Sequence, residues 1–149
     1  MIKYIKGDLL DAPQELIIHQ VNCLGVMGSG IAKAIKDRYP IAFREYNQLC
    51  SDDIVVPKNK LLGIAQFVRV SDNRIICNLF GQFTFLPRTV RHTDYDALRT
   101  GFETIKKTYP KIDIAVPKIG CGLGGGDWNI VSALLEEIFD NCDIYVYQL

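Results

Sequence analysis

The sequence predicts an α/β fold, a three-layer α/β/α sandwich on a mixed central sheet. Two observations carry that expectation. Short apolar runs of strand length alternate along the chain with longer segments whose apolar residues recur at helical spacing. Two neighbouring strand-like runs are separated only by a short polar turn, which makes one strand pair antiparallel within the alternation.

The chain opens with a short strand around Ile2–Ile5, stopped at Gly7-Asp8. Leu16–Val21 is a brief apolar run flanked by polar residues and reads as a buried strand. A glycine-rich turn from Gly25 to Gly30 leads to a helix starting near Ile31, with Ile31, Ala34 and Ile35 on one face. Pro40 breaks that helix and suits the first position of another, in which Phe43, Tyr46 and Cys50 are helically spaced. Ser51–Leu61 reads as a loop. Ile64–Val70 and Arg74–Phe80 flank Ser71-Asp72-Asn73 and form the antiparallel hairpin. A loop with glycine, aromatics and Pro87 follows, then a helix over Asp94–Lys107 with Leu98, Phe102 and Ile105 inward. Ile112, Ile114 and Val116 alternate on the next strand. A second glycine loop, Gly120–Gly126, runs into a helix at Trp128 whose Val131, Leu134, Leu135, Ile138 and Phe139 make an apolar stripe. Ile144–Tyr147 is the last strand.

With 149 residues, no internal repeat and no linker-like tract, residues 1–149 read as a single domain. Lys plus Arg and Asp plus Glu both number 17, and that balance argues against general nucleic-acid binding while allowing a local positive pocket. No apolar run approaches the ~20 residues that cross a bilayer. The N-terminal segment is too short in apolar length, and too interrupted by lysine, for a secretion signal. Cys23, Cys50, Cys77, Cys121 and Cys142 include no C-x-x-C pair, and His19 and His92 are the only histidines. Neither a disulfide framework nor a metal site is expected, and a cytoplasmic location is.

The loops Asn22–Ile31 and Ile119–Trp128 carry the functional signal. Each follows a strand and opens a helix. Glycine lets backbone amides approach a ligand closely, and a helix N-terminus adds unpaired N–H donors. Five glycines lie within Gly120–Gly126, beyond the needs of a turn. Two such loops at the carboxyl edge of one sheet suit a diphosphate held from both sides. A dinucleotide fingerprint needs a small third residue where Lys33 stands, and neither loop is followed by a G-K-S/T lysine.

Several polar residues near these loops have two readings each. Asp8 either accepts from an adenine amino group or caps a turn. Asn22 either binds ribose hydroxyls or satisfies turn backbone. His19 is either a hydrogen-bonded core residue or a general base or nucleophile, and Gln20 takes the opposite face. Asp127 either caps the last helix or orients a water. Cys121 sits where a helix N-terminus lowers a thiol pKa, yet has no base adjacent in sequence. Tyr145 and Tyr147 either pack inward or wall an aromatic base.

Lys6-Gly7-Asp8-Leu9, His19-Gln20-Val21-Asn22, Gly28-Ser29-Gly30-Ile31-Ala32, Pro117 to Leu123 and the terminal Val146-Tyr147-Gln148-Leu149 together resemble the macrodomain family, the ADP-ribose-binding modules. The resemblance covers essentially the whole chain. It is nearest the compact branch containing ADP-ribose 1″-phosphate phosphatases and terminal ADP-ribose glycohydrolases. It implies that Asp8 and the Leu9 backbone hold adenine and that Asn22 contacts the distal ribose. Gly28, Ser29, Gly30 and Ile31, with Ile119, Gly120, Cys121, Gly122, Leu123 and Gly124, would wrap the pyrophosphate and distal ribose. His19 matches a histidine implicated in catalysis in the phosphatase branch, and Asp127 is the second catalytic candidate. The glycohydrolases use a lysine after the hairpin and an aspartate directly after G-C-G-L. This chain has Gly81-Gln82-Phe83-Thr84 and Gly124 at those places. The expectation is therefore metal-independent, cofactor-free hydrolysis of ADP-ribose 1″-phosphate. The alternatives are release of ADP-ribose from a modified protein or nucleic acid, and recognition of ADP-ribose without turnover.

Overall fold

The most apolar strands, β2 (Leu16–Val21) and β4 (Arg74–Phe80), pair in parallel in the middle of the sheet in the computed structural model, which describes Met1–Leu149. Every residue of β4 is buried, as expected of a strand covered on both faces. With β1 (Ile2–Lys6), β3 (Ala65–Ser71), β5 (Ile114–Val116) and β6 (Ile144–Gln148) they form a six-stranded sheet of order β1-β6-β5-β2-β4-β3. Only the β3–β4 hairpin is antiparallel.

Side-chain alternation along the strands divides the interior in two. Leu16 and Ile18 of β2, with Ile75, Cys77 and Leu79 of β4, face one helical layer, α3 (Tyr95–Thr108) and α4 (Trp128–Ile138). Phe102 of α3 meets Phe139 edge-on there, at a centroid separation of 5.9 Å. Ile17, Val21, Ile76 and Phe80 face the other layer, α1 (Gly30–Arg38) and α2 (Pro40–Ser51). The mixed three-layer sandwich expected from the sequence is the observed fold.

The differences are local. β5 begins at Ile114, so Ile112 lies outside it, partly buried. All three β5 residues are buried rather than alternating, because helices cover both faces. Single 3-10 turns occupy Leu9–Asp11 and Lys58–Lys60.

Helix starts are built in two ways. Asp94 Oδ1 accepts from Ala97 N at 3.0 Å to cap α3, and Asp127 Oδ1 accepts from Asn129 N at 2.9 Å to cap α4. Ser29, at the N-cap of α1, makes no side-chain cap bond. The first amides of α1 therefore stay open, at the carboxyl edge where the parallel strands all end. Replacing Asp94 with Ala should cost about 1 kcal/mol in urea unfolding, whereas Ser29→Ala should stay within about 0.5 kcal/mol of the parent.

Candidate functional site

A cleft of about 580 Å³ opens between the two glycine loops. His19, Gln20, Val21 and Asn22, the end of β2 and the residue after it, line it. Gly28, Ser29, Gly30 and Ile31 contribute from the first loop, and Ile119, Gly120, Cys121, Gly122, Leu123 and Gly124 from the second. Tertiary structure thus brings together His19, Asn22 and both glycine-loop sets singled out in the sequence.

Three of the residues singled out lie elsewhere. Asp127 is exposed, does not line the cleft, and its carboxylate is engaged in the α4 cap. Its candidacy as a catalytic acid is corrected to a structural role, since an aspartate before a helix finds orphan amides at once. Asp8 caps the first 3-10 turn, Oδ1 accepting from Leu10 N at 2.9 Å. Leu9 is buried against Ile17, Ile35 and Ile76. Neither lines the cleft, although the end of β1 puts Asp8 on the same sheet edge.

His19 is 1% exposed and faces the α1/α2 layer, directly opposite Asn78 in the register. Its Nε2 lies 2.6 Å from Asn78 Oδ1. The Asn78 amide donates to Ala42 O and Gln66 Oε1, which leaves Oδ1 turned to the ring. Nε2 therefore carries the proton, and Nδ1 is a buried lone pair with no partner in the protein. Burial lowers the His19 pKa to about 4, against a smaller upward pull from Asn78, so the ring is neutral at pH 7.

Asn22 holds the first loop in shape. Its Oδ1 accepts from Leu24 N at 3.0 Å and its Nδ2 donates to Val26 O at 2.9 Å. The buried Tyr46 hydroxyl lies 2.7 Å from both Asn22 O and Oδ1. The Asn22 side chain thus satisfies the backbone of the turn. Cys121 Sγ donates to Ile119 O at 3.2 Å, and burial pushes its thiol up to about 11, so the loop cysteine is a protonated thiol rather than a nucleophile.

Gln20, on the α3/α4 side, supports the second loop. Its Nε2 donates to Gln82 Oε1 at 2.6 Å and Thr93 Oγ1 at 3.0 Å. Thr93 Oγ1 in turn donates to Gly120 O at 2.7 Å. Gly120 has φ +72, and a Cβ at Gly124 would collide with Thr93 Oγ1 and come within 2.9 Å of Gln20 Nε2. The aspartate that the glycohydrolase pattern would put at position 124 has no room here. Gln82, Thr93, Phe85 and Arg88 all lie on the loop between β4 and α3, which the sequence marks only as a loop. The alternation of His19 with Gln20 was the available signal for Gln20.

No aspartate or glutamate lines the cleft, and its only full cations are Arg88 and Lys118. Unfolding measurements should report the buried imidazole. The folded pKa of about 4 lies below the ordinary imidazole value of 6.5, so the unfolded chain takes up the proton first. Stability should fall by about 3 kcal/mol in all as pH drops from 6.5 to 4, and His19→Gln should remove that slope.

A family model described as Macro domain matches residues 18–135. The chain is 32% identical to an ADP-ribose 1″-phosphate phosphatase of Candida albicans, over 99% of each chain. It is also 32% identical to an ADP-ribose glycohydrolase of Bos taurus, covering 97% of this chain and 88% of that one. Among solved structures it resembles the macrodomain of Mycobacterium tuberculosis DarG with a TM-score of 0.81, at 29% identity over 100% of this chain and 98% of that one.

Proposed function

The chain belongs to the macrodomain family, and from that premise we propose that it binds ADP-ribose and hydrolyses ADP-ribose 1″-phosphate to ADP-ribose and phosphate. The observation that carries this reading is the absence of any carboxylate from the cleft lining. The glycohydrolase pattern calls for a lysine after the hairpin and an aspartate at position 124, and this chain has neither at those places. Hydrolysing a phosphomonoester instead requires anion binding, a positioned water and donors for developing charge. A relative that matches over 99% of its length is an ADP-ribose 1″-phosphate phosphatase, in keeping with that chemistry.

In this proposal the open amides of α1 and the second glycine loop hold the diphosphate. Water attacks phosphorus and the bond from phosphorus to the ribose 1″ oxygen breaks. The neutral His19 accepts the water's proton at Nδ1, its unpartnered nitrogen, and the departing ribose oxygen takes a proton from solvent at the mouth of the cleft to become the product hydroxyl. Loop amides meet the charge growing on the phosphoryl and leaving oxygens.

Phosphate release from ADP-ribose 1″-phosphate, measured with a chelator present and alongside calorimetric binding of ADP-ribose, tests the proposal. His19→Ala should bind ADP-ribose and lose about 100-fold or more in turnover. Full activity in that variant removes the histidine role, and binding by the parent without release overturns the phosphatase reading. Ser29→Asp should separate stability from function. The new carboxylate should cap α1 and stabilise it by about 0.5–1 kcal/mol, while costing at least about tenfold in ADP-ribose affinity by occupying the anion site.

A further inference from the structure

Arg88 and Lys118 bring the only positive side chains to a cleft that has no negative one. Arg88 is exposed and takes part in no hydrogen bond or ion pair of the protein. Its backbone, by contrast, is held on both sides. Before it, Gln82 accepts from Gln20, and Phe83 O accepts from Cys23 N at 2.9 Å. After it, Gly124 O accepts from His92 N at 2.8 Å and Thr93 N at 3.1 Å. His92 Nε2 also donates to Pro87 O at 2.6 Å, one residue from Arg88. The loop thus presents a guanidinium with five free donors to the cleft from an anchored position.

A guanidinium fork matches two oxygens of a phosphate group bidentately, whereas lysine acts as a point charge. The diphosphate already has the amides of both glycine loops. A phosphomonoester on the distal ribose adds a further dianion near neutral pH, with a second pKa of about 6. No protein carboxylate competes for the arginine within the cleft.

We infer that Arg88 recognises the phosphomonoester on the distal ribose and sets the preference for ADP-ribose 1″-phosphate over ADP-ribose. The inference rests on the phosphatase reading of this cleft and adds to it a specificity-determining residue.

The test compares the parent, Arg88→Ala and Arg88→Lys, with turnover of ADP-ribose 1″-phosphate and binding of both ligands as readouts. Binding of the phosphorylated ligand is measured in a His19→Ala background so that it persists. Arg88→Ala should weaken binding of ADP-ribose 1″-phosphate about 10- to 100-fold, the range for a lost charge-assisted pair, and raise KM in parallel. Affinity for ADP-ribose should stay within about threefold, and Arg88→Lys should fall between. The discrimination should fade below about pH 6 as the phosphate loses its second charge. Equal loss for both ligands, or no loss for either, overturns the role of Arg88. Absence of phosphate release from the parent defeats the phosphatase reading instead, and the two affinities still decide whether Arg88 reads the monoester.

Discussion

The cleft depends on the parallel placement of β2 between β4 and β5. Pairing on both sides leaves β2 no freedom to slip, since a one-residue shift would move Leu16 and Ile18 out of one layer and Ile17 and Val21 out of the other. The same constraint sends adjacent polar residues to opposite faces. His19 goes to the side of the first glycine loop and α1, and Gln20 to the side of the second loop. One dipeptide therefore equips both halves of the cleft: a neutral imidazole for one, a loop-supporting amide for the other.

The two loops use glycine for different reasons. The first opens into a helix whose N-cap serine leaves the amides unclaimed. The second is compressed against Gln20 and Thr93, so that Gly124 is buried and a methyl group there has nowhere to go. Glycine at 124 is thus demanded by the side chains beneath it. The absence of a carboxylate at that position and the presence of the Gln20–Thr93 support are two sides of one packing arrangement.

Charge follows the same division. Aspartates cap α3 and α4, where stability gains from satisfying helix amides. The helix that opens into the cleft has no such cap, and the cleft lining has no acid. Helix N-terminal amides, two cations and the absence of competing carboxylates all favour an anionic ligand, within a chain whose formal charges balance. Function here is an arrangement of local charge, which overall composition does not report.

Much of the fold was legible because local patterns agree with it. Leu16–Val21 stands out as a buried strand, the Ser71-Asp72-Asn73 turn declares the hairpin that includes Arg74–Phe80, and the stripe through Val131, Leu134 and Leu135 declares α4. Glycine density and position marked both loops that line the cleft. The alternation of His19 and Gln20 showed that they take opposite faces, but only pairing with β4 and β5 decided which face is which. The roles of Asp127 and of Arg88 were likewise tertiary decisions. A carboxylate caps a helix or enters a cleft according to where its loop turns, and a guanidinium on a loop without periodicity gains meaning only when that loop is tied to both sides of a site. The sequence by itself determined the elements, the apolar faces they bury and the two glycine-rich loops, because these follow from short-range periodicity and backbone chemistry. Only the tertiary structure decided which polar groups share the cleft, because that depends on contacts such as Gln20 with Thr93, which are far apart in the chain and adjacent in space.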